Sequence, residues 1–134
     1  MPAITAPGAP KPSPYLSSAI QTGNTLYLSG QCGVSPETGE FISGTVGDRT
    51  KRAMKNVEAI LQAAGMTLAD VVSSTIYLSA YTRDFEAMNI AYVESFPRGM
   101  TLPARTCIGV AALPKGTDVE ISCIAVKQPS KAKL

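Results

Sequence analysis

Apolar positions recur with helical spacing in one long stretch of the chain. Between Asp48 and Ala64, the residues Ala53, Met54, Val57, Ile60, Leu61 and Ala64 form a single apolar stripe. Asp48 suits the N-cap and Gly65 the C-terminal stop, so the spacing predicts a helix over 48–64. A second helix is predicted over 85–96, with Phe85, Met88, Tyr92 and Phe96 on one face and Pro97 ending it. Other stretches read as strands. Residues 15–21 and 25–29 flank Thr22-Gly23-Asn24, a hairpin signal, because Gly and Asn tolerate positive φ. A turn at Pro36–Gly39 precedes a brief third strand at 41–43. The run 71–79 is rich in Val, Ile, Thr and Tyr, and two further strands follow Pro103 and fill 119–126.

The order is thus three short strands, a helix, a strand, a helix and two strands. This predicts one α+β domain over residues 14–126, a six-stranded mixed sheet with two helices packed on one face. Two helices cannot cover both faces of such a sheet, so the other face stays partly apolar and calls for a partner chain. The Pro-rich residues 1–13 are expected to be flexible, as is the tail from 127 to 134.

Two charges interrupt the strand pattern. Arg105 opens Arg-Thr-Cys-Ile-Gly-Val, and Glu120 lies inside Val-Glu-Ile-Ser-Cys-Ile-Ala-Val. Period-two alternation puts Arg105, Cys107 and Gly109 on one strand face, and Glu120, Ser122 and Ile124 on one face of the other. A buried unpaired charge costs several kcal/mol or more, so each must find a partner, water or a ligand. A guanidinium fork fits a carboxylate and a Glu can hold and activate a water. The pair therefore suggests either a site for a small carboxylate substrate or a structural ion pair.

Composition removes other chemistries. None of the 134 residues is histidine, which excludes Ser-His-Asp and Cys-His nucleophiles and His-containing zinc sites. Cys32, Cys107 and Cys123 are odd in number and lack C-x-x-C spacing, which argues against a disulfide framework or a four-Cys metal site and fits a reducing compartment. The net charge of +2, with no aromatic-interleaved basic run, gives no footprint for nucleic acid. No apolar stretch approaches the ~18 residues of a membrane span, and the N-terminus lacks the regions of a signal peptide.

Several short motifs then align in order and spacing: Pro14-Tyr15, Leu28-Ser29-Gly30-Gln31, Thr38-Gly39-Glu40, Asn56-Val57-Glu58-Ala59-Ile60 with Ala63-Ala64-Gly65, Asp84-Phe85 with Asn89, Pro103-Ala104-Arg105-Thr106-Cys107, Leu113-Pro114 and Val119-Glu120-Ile121. Over residues 14–126 the chain resembles the RidA/YjgF family of imine and enamine deaminases. The resemblance implies a chorismate-mutase-like homotrimer, helices outside and sheets inward, with sites in clefts between subunits. It implies hydrolysis of 2-imino and enamine acids, such as 2-aminoacrylate or 2-iminopropanoate, to 2-oxo acids and ammonia, without a cofactor. Arg105 would clamp the substrate carboxylate, Glu120 would activate water and Tyr15 would orient ligand or water. Cys107 would contribute its backbone and small size, Ser29 and Gly30 would line the cleft, and Asn89 would join it.

Two positions depart from the family pattern. Ser13 stands where a glycine is usual, and Gly109 stands where many bacterial members have a larger polar residue, a change expected to enlarge the pocket. The rival functions are a ribonuclease or translation inhibitor, a trimer that only binds small acids, and a pathway-specific enzyme for a bulkier imine or enamine. An imine is already electrophilic, so positioned water and modest proton transfer suffice for its hydrolysis, and histidine is not required.

The C-terminal Ala132-Lys133-Leu134 is a close variant of the Ser-Lys-Leu peroxisomal address. A cytoplasmic location is expected otherwise. In a eukaryotic cell, an N-terminal fluorescent fusion should form peroxisomal puncta that disappear on deletion of Leu134; diffuse signal from both fusions would show the tail to be coincidental.

Overall fold

A computed structural model describes residues 2–129. The Ala132-Lys133-Leu134 signal and the rest of the tail beyond 129 lie outside them. The elements run β1 (Ala19–Thr22), β2 (Thr25–Cys32), α1 (Val46–Ala63), β3 (Val71–Leu78), α2 (Tyr81–Glu94), β4 (Ala104–Gly109) and β5 (Val119–Val126), with single 3-10 turns at Leu68–Asp70 and Pro114–Gly116. The sheet order is β1-β2-β5-β3-β4. All neighbours are antiparallel except β3 and β4, which are parallel and joined through α2. A parallel pair needs such a crossover. The sheet is mixed, as expected, but it has five strands.

The missing sixth strand is the one expected at 41–43. Phe41 makes an isolated bridge to Val34, and no ladder extends from it. The carbonyls that would extend a ladder go elsewhere, since Arg49 Nη1 donates to the carbonyls of Ile42 (3.2 Å) and Gly44 (3.0 Å). Gly44 then takes a φ of 112°, which ends extended pairing. The first strand also begins later than expected, at Ala19, leaving Tyr15 in a turn.

Asp48 is not the N-cap of α1. Thr45 caps it, its Oγ1 accepting from Asp48 N–H (3.1 Å), while the Asp48 carboxylate accepts from Thr45 N–H (2.9 Å). This reciprocal capping box moves the start to Val46. The predicted stripe is the buried one: Ala53, Met54, Val57, Ile60 and Leu61 all face the core, and Gly65 follows the C-cap with φ 73°. α2 starts at Tyr81, one turn before Phe85, because its first turn is largely polar and adds little to an apolar stripe.

Both helices lie on one face, packed on Leu26, Leu28, Ile76, Leu78, Val119, Ile121, Cys123 and Ala125. Asn56, fully buried on α1, donates from Nδ2 to the carbonyls of Cys32 (3.2 Å) and Val34 (2.9 Å), and its Oδ1 accepts from Arg52 Nη2 (2.9 Å). Within residues 2–13, expected to be flexible, the chain is packed against the fold: Ala3 bridges Ile20, Ile4 N–H donates to Ala19 O (2.9 Å), and Ala9 is buried. The opposite sheet face carries exposed Tyr27 and Ile108, with no layer of the described residues over it. Among the described residues, no helix is long and apolar enough to cross a membrane.

Asn56→Leu would remove the hydrogen bonds to the carbonyls of Cys32 and Val34 while keeping the branched side-chain shape. The expected loss of stability is about 1–3 kcal/mol, measured as a lower denaturant midpoint at unchanged slope.

Candidate active site

Arg105 lies on the sheet-edge strand β4, opposite Ser74 of β3, with Cys107 opposite Ile76 and Gly109 opposite Leu78. All three therefore face the helices. The guanidinium carbon stands 5.9 Å from the Phe85 ring centroid and 5.2 Å from that of Tyr92, both on α2. Cation–π attraction holds the head group there. Among the described residues, the ion pairs are Arg49–Asp118, Lys51–Glu94, Lys55–Glu58 and Arg83–Asp84, so Arg105 has no carboxylate partner among them. The structural Arg105–Glu120 pair is thereby ruled out within one chain.

One turn beyond Phe85, Asn89 holds its Oδ1 buried without a hydrogen-bond partner. Tyr92 is by contrast satisfied, its hydroxyl donating to Ser74 Oγ at 2.9 Å. The Cys107 thiol is pushed up by burial, with Arg105 opposing in part. A protonated thiol is a poor nucleophile. Cys123 is buried in the core, and burial pushes its thiol up to about 11. Packing is the role both support.

Glu120 belongs to a second cluster. On β5 it pairs with Tyr77 of β3 and with Cys32 of β2. The β2 ladder shifts register between Leu28 and Gln31, and this irregularity contains Ser29-Gly30. Gly30 lets Glu120 lie close against β2, because a Cβ would stand 2.7 Å from Glu120 Cδ and push that side chain aside. The Cys32 thiol donates to Glu120 Oε2 at 3.3 Å. Burial and then the Glu120 charge push that thiol far up, so it stays a donor. Glu120, Gly30 and Cys32 line a cleft of about 310 Å³ with Leu16, Phe41 and Pro114. Ser29 fixes the preceding turn, its Oγ donating to Ser17 O (2.6 Å) and its N–H to Ser18 O (2.9 Å). In that turn Tyr15 is 92% exposed.

Directly paired residues share a sheet face. Tyr77 pairs with Glu120 on one side and with Ile108 on the other. Glu120 thus lies on the uncovered face with Ile108, whereas Arg105, Cys107 and Gly109 lie on the helix-covered face. The structure brings Arg105, Cys107 and Asn89 together, and Glu120, Gly30 and Ser29 together with the Tyr15 turn nearby. It does not unite the two groups in one chain. Phe85 and Cys32 stand in these clusters although the sequence reading gave neither a role in the site. The Ser-Gly dipeptide inside β2 was the signal for Cys32, since a register shift there turns it towards Glu120. Nor does Gly109 leave empty space, as a Cβ at that position would meet Tyr81 Cβ at 3.1 Å. Among the described residues, no group of three or more His, Cys, Asp or Glu side chains is placed to hold a metal ion.

A two-helix, five-stranded α+β chain with these motifs has clear relatives. Residues 6–127 match the family model described as endoribonuclease L-PSP. The human 2-iminobutanoate/2-iminopropanoate deaminase is 42% identical over 124 residues, covering 92% of this chain and 86% of that protein. RidA from an Antarctic Psychrobacter superposes with a TM-score of 0.87 at 37% identity, over 95% of this chain and all of that one. The Escherichia coli YjgF gene product superposes with a TM-score of 0.90 at 33% identity, over 96% of this chain and all of that one. The chain belongs to the RidA/YjgF family, the reactive intermediate deaminases.

Gly30→Ala tests the contact with Glu120. Overpacking should cost about 1–3 kcal/mol, and the loss should shrink when Glu120→Ala is added, because the clash is then removed. Purely additive losses in a double-mutant cycle would contradict the placement.

Proposed function

We propose that the protein hydrolyses reactive 2-imino and enamine acids to 2-oxo acids and ammonia, at a site completed between copies of a homotrimer. The observation that carries this reading is Arg105, a guanidinium held over two rings with no carboxylate partner among the described residues. Relatives named 2-iminobutanoate/2-iminopropanoate deaminase support the reaction class.

In this reading the substrate carboxylate lies in the fork of Arg105, where two parallel charge-assisted hydrogen bonds fix its orientation. The unpartnered Oδ1 of Asn89 accepts from the substrate's N–H. Glu120 from an adjoining copy holds a water against C2 and takes its proton as the C–O bond forms. That proton passes to nitrogen, giving a carbinolamine; Glu120 then relays the remaining hydroxyl proton to the same nitrogen as the C–N bond breaks, so the C=O forms and ammonia leaves with the 2-oxo acid behind. An enamine first gains a proton at carbon to become the imine. Tyr15, projecting from its turn, orients ligand or water from the Glu120 side. No step calls on a cofactor.

The division of Arg105 and Glu120 between the two sheet faces favours a composite site, since a second copy can supply the group that one chain holds away. The uncovered face offers the surface for that copy, with Tyr27 49% and Ile108 43% exposed. The family description also names ribonuclease activity. A chain with no histidine and a net charge of +2 has little of the acid–base and electrostatic equipment for RNA. The cytoplasm is the proposed location, or the peroxisome in a eukaryote.

The test is ammonia release from 2-imino acids made in situ by an amino-acid oxidase, with RNA cleavage measured in parallel. Arg105→Ala should lose about 2–5 kcal/mol of binding, and Arg105→Lys should rescue poorly for want of a fork. Retained turnover in a folded Arg105→Ala protein would overturn the assignment.

Glu120→Gln should lower the rate while a 2-oxo acid still binds, because shape is kept and the base removed. Cys107→Ser should keep substantial activity. Trapping of a covalent adduct at Cys107 would replace this mechanism with nucleophilic catalysis.

A further inference from the structure

Four aromatic residues line α2, and only two of them are consumed by the core. Tyr92 and Phe96 are buried and meet edge to face, with centroids 5.0 Å apart. Tyr81 and Phe85 stack instead, with centroids 4.9 Å apart and planes 24° from parallel. Tyr81 keeps 38% of its surface exposed and Phe85 is only partly buried. The stack begins at the ring beneath the Arg105 guanidinium, 5.9 Å away, and runs towards the end of β4.

Gly109 permits this arrangement. A Cβ there would stand 3.1 Å from Tyr81 Cβ and 3.8 Å from its Cγ, tight enough to press the ring away from the strand. Between Arg105 and Gly109 on the same strand face stands only the small side chain of Cys107. A ligand whose carboxylate sits on Arg105 therefore meets the small side chain of Cys107 and, beyond it, the partly exposed face of the Tyr81–Phe85 stack, which packs against the bare backbone of Gly109. That ring surface suits a flat or extended apolar group better than a methyl group, which covers little of it.

The geometry points to Tyr81 and Phe85 as the side-chain subsite, selecting 2-imino acids with an aromatic or long apolar side chain over small ones. This inference rests on the deaminase reading above and assigns its substrate class. Tyr81 determines specificity within it, and Gly109 positions Tyr81. The scale is set by apolar discrimination in a pocket, about tenfold or more between a large and a small side chain.

The experiment compares kcat/KM for the imino acids generated in situ from phenylalanine and from alanine, with affinities for phenylpyruvate and pyruvate measured by calorimetry. The native protein should favour the phenylalanine-derived substrate about tenfold or more. Tyr81→Ala and Gly109→Val should each cut that ratio at least fivefold, and Tyr81→Phe should keep it. Melting curves and oligomer size identify a variant that has misfolded, in which case Tyr81→Leu, flexible but still apolar, replaces it with an intermediate ratio expected. An unchanged ratio in folded Tyr81→Ala, or a native preference for the alanine-derived substrate, would overturn the inference. If no imino acid is turned over, the deaminase reading fails alone. The calorimetry then decides the subsite: tighter phenylpyruvate binding that Tyr81→Ala abolishes upholds it, and equal binding of both acids sinks it.

Discussion

Two helices cover one face of a five-stranded sheet and leave the other bare, and most of the molecule's organisation descends from that asymmetry. Side chains on β3, β4 and β5 alternate between a packed interior and an open surface. Arg105 falls on the packed side, but on an edge strand where its head group rests on rings and has no countercharge among the described residues. Glu120 falls on the open side, held by a thiol and by the bare backbone of Gly30. A residue that must titrate or hold water is best kept beside a cleft, and one that must anchor an anion is best kept rigid and partly desolvated.

The charges elsewhere are treated differently. Arg49 and Asp118 meet through two bonds of 2.8 Å, and the remaining Arg49 donors go to loop carbonyls. Burial alone would push the Asp118 carboxyl up, but Arg49 outweighs it and holds the group below the usual carboxylate range. That pair fastens the start of α1 to the start of β5. Arg105 has no such partner among the described residues, and the contrast between a satisfied guanidinium and an unsatisfied one in the same small protein separates scaffold from site.

Much of this was legible in the linear sequence because it is local. The stripe from Ala53 to Leu61, the hairpin turn at Gly23 and the alternation around Arg105 and Glu120 each depend on neighbours a few residues apart. What was not legible depends on strand order and register. Whether Arg105 and Glu120 share a face follows from Tyr77 pairing with Ile108 and Glu120 at once, and no periodicity encodes that. Cys32 was hidden by the register shift at Ser29-Gly30, which reverses the alternation just ahead of it. The third strand failed for a related reason, its carbonyls being claimed by a distant arginine. Tyr81 escaped because the first turn of α2 is polar around it, and only its stacking on Phe85 reveals a use.

The hydrogen bonds from Asn56 to the carbonyls of Cys32 and Val34 have a consequence for motion. They splice the end of β2 to the middle of α1, the most deeply packed helix in the chain. Strand ends usually fray on their own and exchange their amide hydrogens early. Here the end of β2 cannot open without unseating a buried amide, so the floor beneath Glu120 shares the slow opening of the core. The carboxylate therefore sits on a platform as durable as the hydrophobic interior, while the Tyr15 ring beside the cleft stands open to the solvent.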